Sequence, residues 1–139
     1  MSSTQKGLSD LSQLLSEMSP RLQPGTYVFC SLQSTEGIPA DSIIVQFREA
    51  EGISLILAQE RADQLGLQYH FVAAWITLKV HSALAAVGLT AAVAKALTEA
   101  QISCNVVAAY YHDHIFVPIA DQQRAVEVLD ELSTHARKK

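Results

Sequence analysis

Between residues 71 and 119 the spacing of apolar side chains changes period twice, which constrains the fold more than any other feature of this chain. FVAAWITLKV (71–80) alternates, HSALAAVGLTAAVAKALTEAQ (81–101) takes helical spacing from Gly88 onward, and ISCNVVAAYYHDHIFVPI (102–119) returns to alternation. Alternation puts every second side chain on one face of a strand, whereas helical spacing puts a stripe along one side of a helix. The segment therefore predicts strand, helix, strand, strand. Over 70–80, Val72, Ala74, Ile76, Leu78 and Val80 form a uniformly apolar face for helices to cover, opposite a mixed face with Trp75, Thr77 and Lys79. The helical stripe of Leu89, Val93, Ala96, Leu97 and Ala100 is narrow and small, so this helix can press close to a sheet.

Upstream, Leu11, Leu14, Leu15 and Met18 predict a short amphipathic helix over 9–18, broken by Pro20 and Pro24-Gly25. Residues 26–32 read as a strand, 42–49 and 53–58 as a hairpin turning at Gly52, and 59–66 as a helix ended by Gly66. Downstream, Asp121 reads as the N-cap of a last helix whose stripe is Ala125, Val128, Leu129 and Leu132. The order αβββαβ then αββα gives an α+β fold of two weakly repeated βαββαβ units sharing strands, with antiparallel sheets and helices on one face. Residues 1–70 would form the N-terminal unit with its leading helix, and 71–139 the C-terminal one. The second unit lacks a closing strand, which 26–32 is expected to supply. Trp75, on the mixed face with Phe71 and Lys79, either marks a partner surface or, as expected here, packs under the first helix.

The 139 residues are 49% hydrophobic and 17% charged, enough for a substantial core. Net charge −4 with dispersed Lys and Arg gives no basic stripe, which argues against a nucleic-acid partner. Arg137, Lys138 and Lys139 close the last helix, where they complement its dipole. No apolar run is long enough to span a bilayer, and SSTQKGLSD after Met1 has no secretory h-region, so no membrane partner is expected. Cys30 and Cys104 lie far apart without partners at metal spacing, which fits a reducing, cytoplasmic location. No cofactor is expected.

The residues offer a place to bind and no place for catalysis. His81 and Ser82 are adjacent, so they do not face each other as base and nucleophile, and no third group orients them. His112-Asp113-His114 resembles a metal pair, but Asp113 is expected in a turn that breaks the alignment, and no third ligand follows. A helix opening at Gly88, just past a buried strand, instead presents free amides of Gly88, Leu89 and Thr90. These suit a carboxylate, with a dipole contribution of about 0.3–1 kcal/mol. A companion ammonium needs acceptors, for which Asn105 and the carbonyls of Val106, Val107 and Ala108 are candidates. Ser82 adds a hydroxyl, His81 sits at the strand end, and Val87 precedes the glycine. On residues alone the bland alternative stays open: Gly88 turns the chain and Asn105 caps a strand end.

This order, with VGLTAAVAKAL, ISCNVVAAY and the rest of 72–134, resembles the ACT domain, a ferredoxin-like βαββαβ regulatory fold. The match is to short bacterial tandem-ACT proteins. The same unit is similar to the regulatory part of aspartate kinases and to the ACT units of the eukaryotic cytosolic arginine sensor. The resemblance implies a regulatory or sensor protein without catalytic activity that binds a small molecule, most of all a free amino acid, and forms a homodimer. Its alternative is a scaffolding dimer that has lost the ligand. Two departures stand out. Gln101 occupies a position where many ACT units carry Gly, so the helix C-cap must differ or bear strain, and Val87-Gly88 replaces a common Pro-Gly, which loosens that loop.

Overall fold

The structure, a computed structural model, describes residues 10–138; Met1–Ser9 and Lys139 lie outside the described residues, and with them the first residue of the expected helix and the last cation of the C-terminal cluster. The chain forms two compact units, one of Pro24–Ala74 and one of Met1–Gln23 with Trp75–Lys139. The leading segment, expected in the N-terminal unit, thus packs with the C-terminal one.

The inner unit, 24–74, contains β2 (Tyr27–Leu32), β3 (Ile43–Arg48), β4 (Ile53–Ala58), α2 (Gln59–Gln64) and the start of β5 (Val72–Lys79). β4 runs antiparallel between β3 and β2, and Tyr27 and Val28 pair with Ala73 and Val72. Val28, Cys30, Leu55, Leu57 and Ala62 form its core, the inward set that alternation selects. Between β2 and β3 the chain makes only a short 3-10 turn at Ala40–Ser42, so no α-helix follows the first strand here.

The outer unit contains α1 (Leu11–Glu17), β1 (Ser19–Leu22), the rest of β5, α3 (Leu89–Glu99), β6 (Asn105–Ala108), β7 (Asp113–Pro118) and α4 (Gln122–Arg137). Its strands lie in the order β1-β5-β7-β6. The closing strand is therefore β1, which pairs antiparallel with β5 from Ser19↔Lys79 to Leu22↔Ile76. Residues 26–32 pair chiefly with β4 and touch β5 only at its first two residues. Sequence pattern hid β1 because Ser-Pro-Arg-Leu carries no alternation and Pro20 reads as a breaker. A proline lacks the N–H of a ladder bond, but a strand paired on one side tolerates it.

Ile76, Leu78, Ile115 and Val117 are fully buried on one face of this sheet, with Leu89, Val93 and Leu97 of α3, Ala125 and Leu129 of α4, and Leu14 of α1 buried against that side. The stripe of α4 continues to Ser133, while Val128 and Leu132 are half-buried. Ser133 earns its buried place through its Oγ, which donates to the Met18 carbonyl at 2.8 Å, and Arg137 donates to the Ser16 carbonyl at 3.1 Å. Arg137 thereby ties α1 to α4, beyond complementing a dipole. Asp121 makes no side-chain cap; its Oδ1 accepts from Arg124 at 2.8 Å instead. At the end of α3, Gln101 takes φ +61, with Gln101 N–H bonded to Thr98 O and Ile102 N–H to Leu97 O, both at 2.9 Å. This is the left-handed helix stop that usually takes glycine, here bearing the strain of a side chain.

Candidate functional site

β5 ends at Lys79, the chain crosses over residues 80–88, and α3 starts at Leu89. Gly88 holds φ +107 and ψ −19, a left-handed conformation open to glycine, and among the described residues no side chain caps the helix. The first backbone bond runs from Ala92 N–H to Gly88 O at 2.9 Å, so the amides of Leu89, Thr90 and Ala91 fall outside the ladder of the helix. One wall is occupied: a Cβ on Gly88 would lie 2.9 Å from Leu11 Cδ2. Glycine at 88 thus serves both the backbone turn and the close approach of α1. Leu89 points into the core, Thr90 and Val87 face solvent, and Ser82 is buried.

His81 stands against Tyr111 and Tyr110, with ring centroids 5.1 and 6.4 Å away. This aromatic corner escaped the sequence reading because alternation drew Tyr110 and Tyr111 into a strand. Only the adjoining polar His-Asp pair hinted at a turn.

Asn105 opens β6 opposite Phe116, and Ala108 closes it opposite Asp113. His112 Nδ1 lies 3.2 Å from the Val80 carbonyl, which fixes the β6–β7 turn beside the end of β5 where the crossover begins. Ala108 is therefore at the crossover end. Asn105 is at the other end, about 10 Å along the strand, its Nδ2 donating to Phe116 O at 3.2 Å. The structure keeps His81, Ser82, Val87, Gly88, Leu89 and Thr90 with Ala108 at one end, while Val107, Val106 and Asn105 run away from it.

Asp113 is the first residue of β7, not part of the turn, which spans 109–112 and closes with Ala109 N–H to His112 O at 3.1 Å. His112 and His114 flank it on the opposite face, with ring centroids 6.5 Å apart. His114 Nδ1 accepts from Trp75 Nε1 at 3.0 Å and faces Thr77 Oγ1 at 3.0 Å, which in turn accepts from Gln23 Nε2 at 2.9 Å. Because an indole N–H only donates, Nδ1 must be the unprotonated nitrogen. Burial, and then repulsion from His112, lowers the His114 pKa, against the pull of Asp113. Trp75 stacks on Phe116 at 6.0 Å and bonds His114, rather than packing under α1. Among the described residues no group of three His, Cys, Asp or Glu side chains could hold a metal ion. Burial pushes both thiols, Cys30 and Cys104, up, so neither is primed as a nucleophile.

An open trough of about 740 Å³ runs between α3 and α4 over Ala96, Ala100, Val128 and Leu132. None of its lining residues comes from the crossover, and the small side chains of α3 account for it. No helix among the described residues is long and apolar enough to cross a membrane.

Two ACT-domain family models match the chain, one over residues 6–74 and one over 71–131. Protein VC0802 of Vibrio cholerae, described as of unknown function and a possible transport protein, is 47% identical, with a TM-score of 0.79 over 88% of this chain and 95% of its own. Protein Atu0741 of Agrobacterium tumefaciens is 21% identical, with a TM-score of 0.64 over 84% of this chain and 89% of its own. The ligand-free regulatory subunit of Thermus thermophilus aspartate kinase shares the fold at 8% identity, with a TM-score of 0.55 over 81% of this chain and 95% of that one. Comparison with curated proteins gives no match.

Proposed function

Since this chain belongs to the ACT-domain family and carries two such domains in tandem, we propose that it is a regulatory protein that binds a free amino acid and catalyses no reaction. ACT domains are commonly small-molecule-binding regulatory units. The observation that carries the reading here is the start of α3, where a left-handed glycine and, among the described residues, the absence of a side-chain cap leave amides available to a ligand carboxylate. Gly88, Leu89 and Thr90 would meet that carboxylate, and Ser82 and His81 would line the approach. The protein would act in the cytoplasm as a homodimer, its ligand favouring one of two assembly states and so changing what a partner chain can bind.

A scaffolding dimer without ligand is the second reading. It is favoured by Leu11, whose side chain already lies against Gly88. A thermal-shift screen of the intact chain against the common amino acids separates the two. A ligand at a hundredfold excess over its Kd adds about 2.7 kcal/mol, on the order of 10 °C for a chain of this size. Midpoints that stay put with every amino acid would leave only the scaffold.

A further inference from the structure

The outer unit buries the polar side chains of Thr77, Ser82, Asp113 and Ser133. Thr77 accepts from Gln23 and faces His114, and Ser133 donates to the Met18 carbonyl. Ser82 and Asp113 differ. Each is 8% exposed, yet among the described residues no hydrogen bond reaches the Ser82 hydroxyl or the Asp113 carboxylate. Neither is a sealed, unsatisfied group, since among the described residues only Ser42 Oγ is; their oxygens keep a narrow contact with solvent, where a ligand could reach them.

Its direction follows from strand geometry. Alternation along β7 puts Asp113 on the side of Ile115 and Val117, which is the side the helices cover. The contact of His112 with the Val80 carbonyl sets Asp113 at the end of β5 from which the crossover departs. Ser82 lies in that crossover, and α3 starts from it on the same side of the sheet. The carboxylate is thus aimed beneath the first turn of α3. It does not cap that turn: among the described residues no side chain accepts from the first amides of α3. Burial instead pushes its pKa up, opposed only by His114 and His112.

We propose that Asp113, together with Ser82, receives the ammonium of a ligand whose carboxylate meets the amides of α3, which makes the ligand class a zwitterionic α-amino acid and not a simple anion. This rests on the ligand-binding reading above. It supplies the acidic partner for the ammonium that spacing alone did not reveal, in place of distant Asn105. Without a protein donor, the carboxylate has only solvent to give up when the ligand arrives.

The test titrates the intact chain with each common amino acid and, for any that binds, with the α-hydroxy acid of the same side chain. The wild type should bind the amino acid at least about tenfold more tightly than its hydroxy acid. Asp113→Asn should erase that preference while its ligand-free melting midpoint holds or rises. Equal wild-type affinities for the pair would overturn the proposal without any variant, as would full amino-acid affinity in a folded Asp113→Asn chain. In both cases the ligand-binding reading survives. If no amino acid binds the wild type, both fall together.

Discussion

Replacing Gln101 with glycine should stabilise this protein. Gln101 sits at φ +61 just past α3, exposed to solvent, and among the described residues makes no side-chain hydrogen bond that the change would lose. A left-handed backbone costs a residue with a Cβ about 1–2 kcal/mol. Glycine removes that strain but loosens the unfolded chain, returning about 0.5–1 kcal/mol. The net gain should be about 0.5–1 kcal/mol, or roughly 2–4 °C in Tm. The stop itself persists, since the bonds from Gln101 N–H to Thr98 O and from Ile102 N–H to Leu97 O involve only backbone. Urea unfolding followed through the emission of Trp75, the single tryptophan, gives the measurement. Gln101→Ala is the control: it keeps the Cβ and should show no gain. A glycine variant that is less stable than wild type, or one that merely equals the alanine variant, would refute the strain argument.

Two further expectations concern the site region. Burial lowers the His114 pKa from its ordinary 6.5, so the unfolded chain takes up a proton before the folded one does. Its contribution is level above pH 6.5 and is lost as pH falls from there toward the lower native value. Asp113, raised from 3.8, acts in the opposite sense: the folded chain protonates first, so stability is recovered as pH falls through the raised value. His114→Asn keeps an acceptor for Trp75 but does not titrate, and should flatten the fall in urea midpoint between about pH 7.5 and about pH 5.5; parallel slopes would remove His114 as the cause. Gly88→Ala should cost about 1–2 kcal/mol, because φ is +107 and the new Cβ meets Leu11 at 2.9 Å. Adding Leu11→Ala relieves the contact but not the backbone, so the pair should remain less stable than Leu11→Ala alone.

The sequence by itself determined the elements whose local and burial demands coincide. Alternation in β5 and helical spacing in α3 could each be satisfied in only one secondary structure. Gly88 and Gly66 marked helix boundaries through backbone freedom, and the anomaly at Gln101 was visible before its positive φ was. The tertiary structure alone decided which distant segments met. β1 has no pattern of its own and becomes a strand because β5 offers it an unpaired edge. Leu11 looks like any amphipathic-helix leucine until α1 is laid against Gly88, and Ser133 looks like a surface serine until its hydroxyl finds the Met18 carbonyl. Asp113 passed for turn polarity because one residue of shift at a strand start moves a side chain from the solvent side to the covered side. Pattern records what each residue prefers, whereas a site depends on which preferences are left unmet once the chain has closed on itself.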